Sequence, residues 1–248
     1  MNTVPRSGFT VIETMLFLAV SGGLIVAILA VSGIAVSQQR YRDAAIGVES
    51  LLQSQYANTS NVLNSRGDRL KCSNNSGTLL IEPGAGARGA SECVVLGRYI
   101  RFSPSGSETT VTTSSVIGLL GTDEAPVTND IDALKQYIMI RSSLDEEVAS
   151  VSWGAQIVKP RTDTPQDITI LVLRSPLSGS LRTFIPTGAL PSPGSRVIEA
   201  SAIDALNTEE TLCLATKGFS TGQALGITVR AGAGGASAIE MQAEDGPC

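Results

Sequence analysis

The amino-acid sequence predicts an α+β chain: a long N-terminal α-helix, transmembrane in its first half, packed on an antiparallel β-sheet. Three observations carry that prediction. Residues 14–36 contain no charged side chain. Beyond them, Tyr41, Ala45, Val48, Leu52 and Tyr56 recur at three- and four-residue spacing, the mark of one buried helix face. From Tyr137 onward, short apolar runs alternate with turn residues, as antiparallel strands do. The expected organisation is a short segment at 1–8, one helix over 9–60 and a β-rich globular domain over 61–248.

The elements follow in order. At 1.5 Å per residue, the uncharged stretch 14–36 is about 34 Å long, enough to cross a hydrocarbon core of about 30 Å. Asn58-Thr59-Ser60-Asn61 reads as the helix stop. Residues 66–130 are the least regular part. Leu79-Leu80-Ile81 reads as a strand, Pro83-Gly84-Ala85-Gly86 as a turn, and Cys93–Leu96 with Tyr99–Phe102 as two strands or one bent strand. The Ser- and Thr-rich stretch 103–115 reads as a solvated edge strand or loop. A short helix with an Asn or Asp cap is expected from Asn129. Strands are then expected at Tyr137–Arg141, Val148–Val158 and Ile168–Arg174, the last joined to Leu181–Ile185 by a hairpin turn at Ser178-Gly179. Pro186, Pro191 and Pro193 mark an exposed connection. Leu212–Ala215, Ala224–Arg230 and Ala238–Gln242 form a closing meander, and Trp153, the sole tryptophan, is expected in the core.

Glu13 breaks the apolar pattern at the start of the helix. An ionised carboxylate in lipid costs about 2.5–3.5 kcal/mol, so a partner that neutralises it is expected. A secretory signal peptide would have a shorter apolar region and a small-residue cleavage site; a plain signal anchor fits the length but leaves Glu13 unexplained.

The run Gly8-Phe9-Thr10-Val11-Ile12-Glu13 and the apolar stretch after it resemble the class III signal of type IV pilins and type II secretion pseudopilins. The resemblance covers residues 6–60. It implies a pilin-like fold, a leader at 1–8 cut by prepilin peptidase between Gly8 and Phe9, and N-methylation of Phe9. Glu13, the fifth residue after that cut, would pair with the N-terminal amine of a neighbouring subunit. Buried alone, each charge is costly; paired, they lose much less, so the penalty would set subunit register. Two features depart from the family pattern: Arg6 is the one basic residue of the leader, and the helix proline of many major pilins is absent, with Gly22-Gly23 in that region instead. Glycine lowers helix stability by about 1 kcal/mol relative to alanine, so local melting is an expectation there.

The function implied is a minor pilin or pseudopilin subunit of a type IV pilus or type II secretion-like filament. Its partners would be other subunits, prepilin peptidase, the inner-membrane assembly platform and, before assembly, membrane lipid. The globular domain would be extracytoplasmic, then part of a cell-surface or periplasmic filament. The alternatives are a signal-anchored extracellular binding protein acting alone, or a competence pilin that captures DNA. The formal charge of −5 disfavours bulk attraction to phosphate, leaving a local cluster of Arg98, Arg101, Arg161, Arg174 and Arg182 as the route to nucleic acid.

Composition narrows the chemistry. The chain has no histidine, which removes Ser-His-Asp and Cys-His catalysis and the commonest zinc ligand. No enzyme activity, metal or cofactor is expected. Four cysteines, Cys72, Cys93, Cys213 and Cys248, allow three disulfide connectivities; sequence proximity favours Cys72–Cys93 and Cys213–Cys248.

Overall fold

The structure, a computed structural model, describes residues 8, 10–61, 70–75, 78–83, 93–121, 126–186, 203, 209–219, 224–230, 232, 234–242 and 248, with the backbone alone for 70–83. Helix α1 spans Val11–Ser60. The Thr10 hydroxyl accepts a hydrogen bond from the Glu13 N–H at 3.3 Å, and the Asn61 N–H closes the helix on the Ala57 carbonyl at 2.9 Å. The helix runs unbroken through Gly22-Gly23.

Strands β1 (Leu70–Asn75) and β2 (Thr78–Pro83) pair with each other. The largest sheet contains β3 (Cys93–Ser105), β4 (Glu108–Leu120), β5 (Tyr137–Arg141), β6 (Glu147–Ser150), β8 (Ile168–Arg174) and β9 (Leu181–Phe184). Its order is β5-β4-β3-β8-β9, with β6 pairing the other end of β4. The second sheet has the order β12-β11-β10-β7, from β7 (Ile157–Val158), β10 (Glu210–Leu214), β11 (Gly226–Val229) and β12 (Ile239–Gln242). All these pairings are antiparallel. The hairpin at Ser178-Gly179 and the closing meander form as the sequence predicts. Short helix α2 (Asp130–Lys135) also forms, with the Asn129 side chain accepting from the Ile131 and Asp132 N–H groups at 2.9 Å.

One bent strand, not two, covers 93–105: β3 shifts register between Val95 and Gly97. Gly97 is required at this bulge, because a Cβ there would lie 1.9 Å from the Val172 carbonyl oxygen of β8.

Four expectations are corrected. The Thr-rich stretch is neither loop nor edge: β4 lies inside the large sheet, with Thr109, Thr113 and Ser114 buried. The Thr109 hydroxyl accepts from the Ile157 N–H at 2.8 Å, whereas the buried Ser114 hydroxyl has no hydrogen-bond partner among the described residues. The run from Val148 to Val158 is not one strand. Trp153 and Gly154 take left-handed φ of 61° and 66°, which turns the chain from β6 in one sheet to β7 in the other. Trp153 therefore leaves the core and stands 56% exposed. Pro186 is buried; Pro191 and Pro193 lie outside the described residues, as do the turn residues 84–86.

The core sits on both faces of the large sheet. On one face Tyr41, Ala44, Ala45, Val48, Leu52 and Tyr56 of α1 pack with Ile100, Ile170 and Val172 and with Leu212, Ile227 and Val229 of the second sheet. On the other, Leu134 of α2 packs with Leu96, Tyr99, Leu171 and Leu173. The second half of α1 thus joins the two sheets. The Tyr41 hydroxyl donates to the Leu214 carbonyl and accepts from the Leu225 N–H, both at 2.9 Å. Burial pushes this phenol's pKa up, partly offset by the Leu225 N–H. Further along, the Tyr56 hydroxyl meets Thr183.

Candidate functional site: the free half of the long helix

The residues singled out by sequence fall at one end of α1. Gly8 is exposed and Glu13 lies in the first turn, exposed, while Phe9 and Arg6 lie outside the described residues. A carboxylate in the first turn is favoured by the helix dipole. Thr10-Val-Ile-Glu13 also has the spacing of a capping box, a signal legible in the sequence but overlooked beside the charge itself. No cation among the described residues lies within ion-pair distance of Glu13.

From Val11 to Val36 no described residue covers the helix. Leu29 is 66% exposed and Val36 47%. The protein has one helix long and apolar enough to cross a membrane among the described residues, and the apolar window of that helix is wholly unburied. The hydroxyls inside it bond back to their own helix: Thr14 donates to the Val11 carbonyl at 2.8 Å and Ser21 to the Leu18 carbonyl at 3.2 Å. Neither needs water, so the segment suits lipid or the apolar face of another helix. Removing each large apolar side chain from water is worth about 1.5–3 kcal/mol. Fifteen such side chains stand exposed between Val11 and Val36, a total far above the roughly 3 kcal/mol cost of Glu13. The carboxylate cannot keep the helix out of an apolar environment; it can set where along the helix a partner must sit.

In the globular part, Cys213 and Cys248 are disulfide-bonded with Cα atoms 5.5 Å apart, as sequence proximity favours. Gly226, opposite Cys213 in register, makes room: a Cβ there would lie 2.6 Å from the Cys248 Sγ. Cys93 is also disulfide-bonded. Cys72 lies on β1, whose side chains are outside the described atoms.

Three of the five arginines expected to form a nucleic-acid cluster meet carboxylates. Arg98 donates to Asp145 at 2.9 Å, to Ser115 at 3.1 Å and to Gln55 of α1 at 2.9 Å. Arg101 grips Asp167 through two bonds of 3.0 and 2.7 Å, and Arg182 lies 3.8 Å from Asp130. Three of the five therefore have their charge matched within the fold. A cleft between α1 and β4–β6, lined by residues that include Ser50, Ser54, Gln55, Thr113 and Glu147, holds one titratable side chain, Glu147. It offers no paired groups for acid–base chemistry.

Comparison with protein-family models, with curated proteins and with solved structures returns no match.

Proposed function

We propose that this chain is a prepilin-type subunit, a minor pilin or pseudopilin, that assembles through the first half of α1 into a type IV pilus or type II secretion-like filament. The observation that carries the reading is an exposed, membrane-length apolar helix with a single carboxylate, Glu13, at its start and a well-packed second half. In this reading the chain inserts with Arg6 on the cytoplasmic side. Prepilin peptidase cuts after Gly8 and methylates Phe9. The assembly platform then draws α1 from lipid into a bundle of like helices, with the globular domain extracytoplasmic. There the Glu13 carboxylate meets the N-terminal amine of a neighbour, and the pair removes the cost each bears alone. The protein is structural; the chemistry belongs to its processing partners.

Gly8→Leu should leave the precursor at full length by mass spectrometry, while the parent begins at a methylated Phe9. Normal maturation of the variant defeats the reading. Glu13→Val should insert into membrane normally but vanish from sheared filaments. Should the parent chain itself remain wholly in the membrane fraction after shear, a solitary anchored binding protein is the better account.

A further inference from the structure

Trp153 is the protein's sole tryptophan, and the fold holds it outside the core in a backbone conformation that non-glycine residues avoid. Its neighbours Val151 and Ala155 are buried, so the excursion is short and fixed at both ends. Ser152 approaches α1 at Gly47, where an added Cβ would lie 3.5 Å from the Ser152 hydroxyl oxygen. From there the indole reaches to Arg40, whose guanidinium carbon lies 4.9 Å from the ring centroid. Helix side chains lean toward the N-terminus, so the pair lies at the edge of the domain where α1 leaves it. Tyr41, the next residue, is the first of α1 to be buried.

That edge has a definite depth. Arg40 is four residues beyond Val36, where the apolar stretch ends, which is about 6 Å along the helix. A headgroup layer is about 5–8 Å thick on each side of the hydrocarbon. Trp prefers that layer, its ring in the apolar boundary and its N–H in the wet zone, and arginine pairs with phosphate there. Arg42, two residues on and so on another side of α1, is also exposed. Exposed Lys217 lies two residues from Phe219, whose ring meets that of Tyr41 at 5.2 Å.

We propose that Trp153 and Arg40, with the exposed cations Arg42 and Lys217 adding positive charge at this end of the domain, form a foot that rests the globular domain in the phospholipid headgroup layer of the leaflet from which α1 emerges. The proposal rests on the reading of α1 as a membrane helix. Contact with the headgroups fixes the domain's height and tilt before assembly, and extraction of the subunit must break it.

The sole tryptophan is also the probe. The full-length protein is reconstituted in phosphatidylcholine–phosphatidylglycerol vesicles whose acyl chains are brominated either near the headgroup or near the bilayer centre. Flotation of the same sample reports insertion independently. Shallow bromines should quench the indole about twofold more than deep ones, as interfacial depth requires. Protein that floats with the vesicles while its indole ignores both bromolipids and stays fully open to acrylamide overturns the foot and leaves the membrane helix standing. An indole shielded from acrylamide without bromolipid quenching assigns the patch to a protein neighbour and equally overturns it. Failure to float removes both readings.

Discussion

Asp130 opens α2 and reaches across to the β8–β9 turn. Its carboxylate accepts from the Ser175 hydroxyl at 2.7 Å and the Ser180 hydroxyl at 2.8 Å, with Arg182 near by. The serine hydroxyls at 175, 178 and 180, assisted by that arginine, lower its pKa from 3.8 to about 2. A carboxyl whose folded pKa is depressed stabilises the fold above its unfolded pKa, and that share is lost as pH falls through the folded value. The window here runs from about pH 4 down to about pH 2. Asp130→Asn should lower Tm at pH 6, and the gap to the parent should narrow steadily on acidification through that window. Circular-dichroism melts across the range check this; a gap independent of pH would mean the bonds to the serines do not depend on charge.

At the scale of elements, β10 anchors the second sheet to the C-terminus through Cys213–Cys248, with a sequence separation of 35. Closing a loop of that length removes unfolded-state entropy worth about 4 kcal/mol. Cys213→Ser with Cys248→Ser should therefore lower urea-unfolding stability by about 2–5 kcal/mol. A loss under about 1 kcal/mol would show that the unfolded chain is already compact there. This pairing was legible because the cysteines flank a meander whose turns are marked by glycine. The β8–β9 hairpin was legible for the same reason. The place of β4 was not, because Thr and Ser favour a strand equally on a solvated edge and inside a sheet. Nor was the split between β6 and β7 legible: the apolar character continues from Val148 to Val158, and only two left-handed residues, one of them a tryptophan, divide it. The candidate site was the reverse case. An uncharged stretch preceded by Glu13 shows in sequence almost everything that the backbone later shows, whereas the Arg40–Trp153 contact joins residues too far apart in sequence for any periodicity to link.

At the scale of the whole molecule, α1 is two helices in one. Before Ser37 its apolar side chains are exposed on all sides; from Tyr41 one face is sealed into the junction of both sheets, with Leu52 fully buried. One half of a continuous rod thus packs into the core, and no described residue covers the other half. Among the described residues none packs on α1 before Ser37, so a chain beginning at Ser37 should be soluble without detergent, monomeric in sedimentation and close in Tm to the full-length protein in detergent micelles. In that shortened chain, Leu52→Ala should cost about 2–5 kcal/mol, because it opens a cavity where helix and sheets meet. If the shortened chain instead unfolds or aggregates with its Leu52 intact, the two halves are not independent. The exposed segment would then be part of the fold and not a handle extended from it.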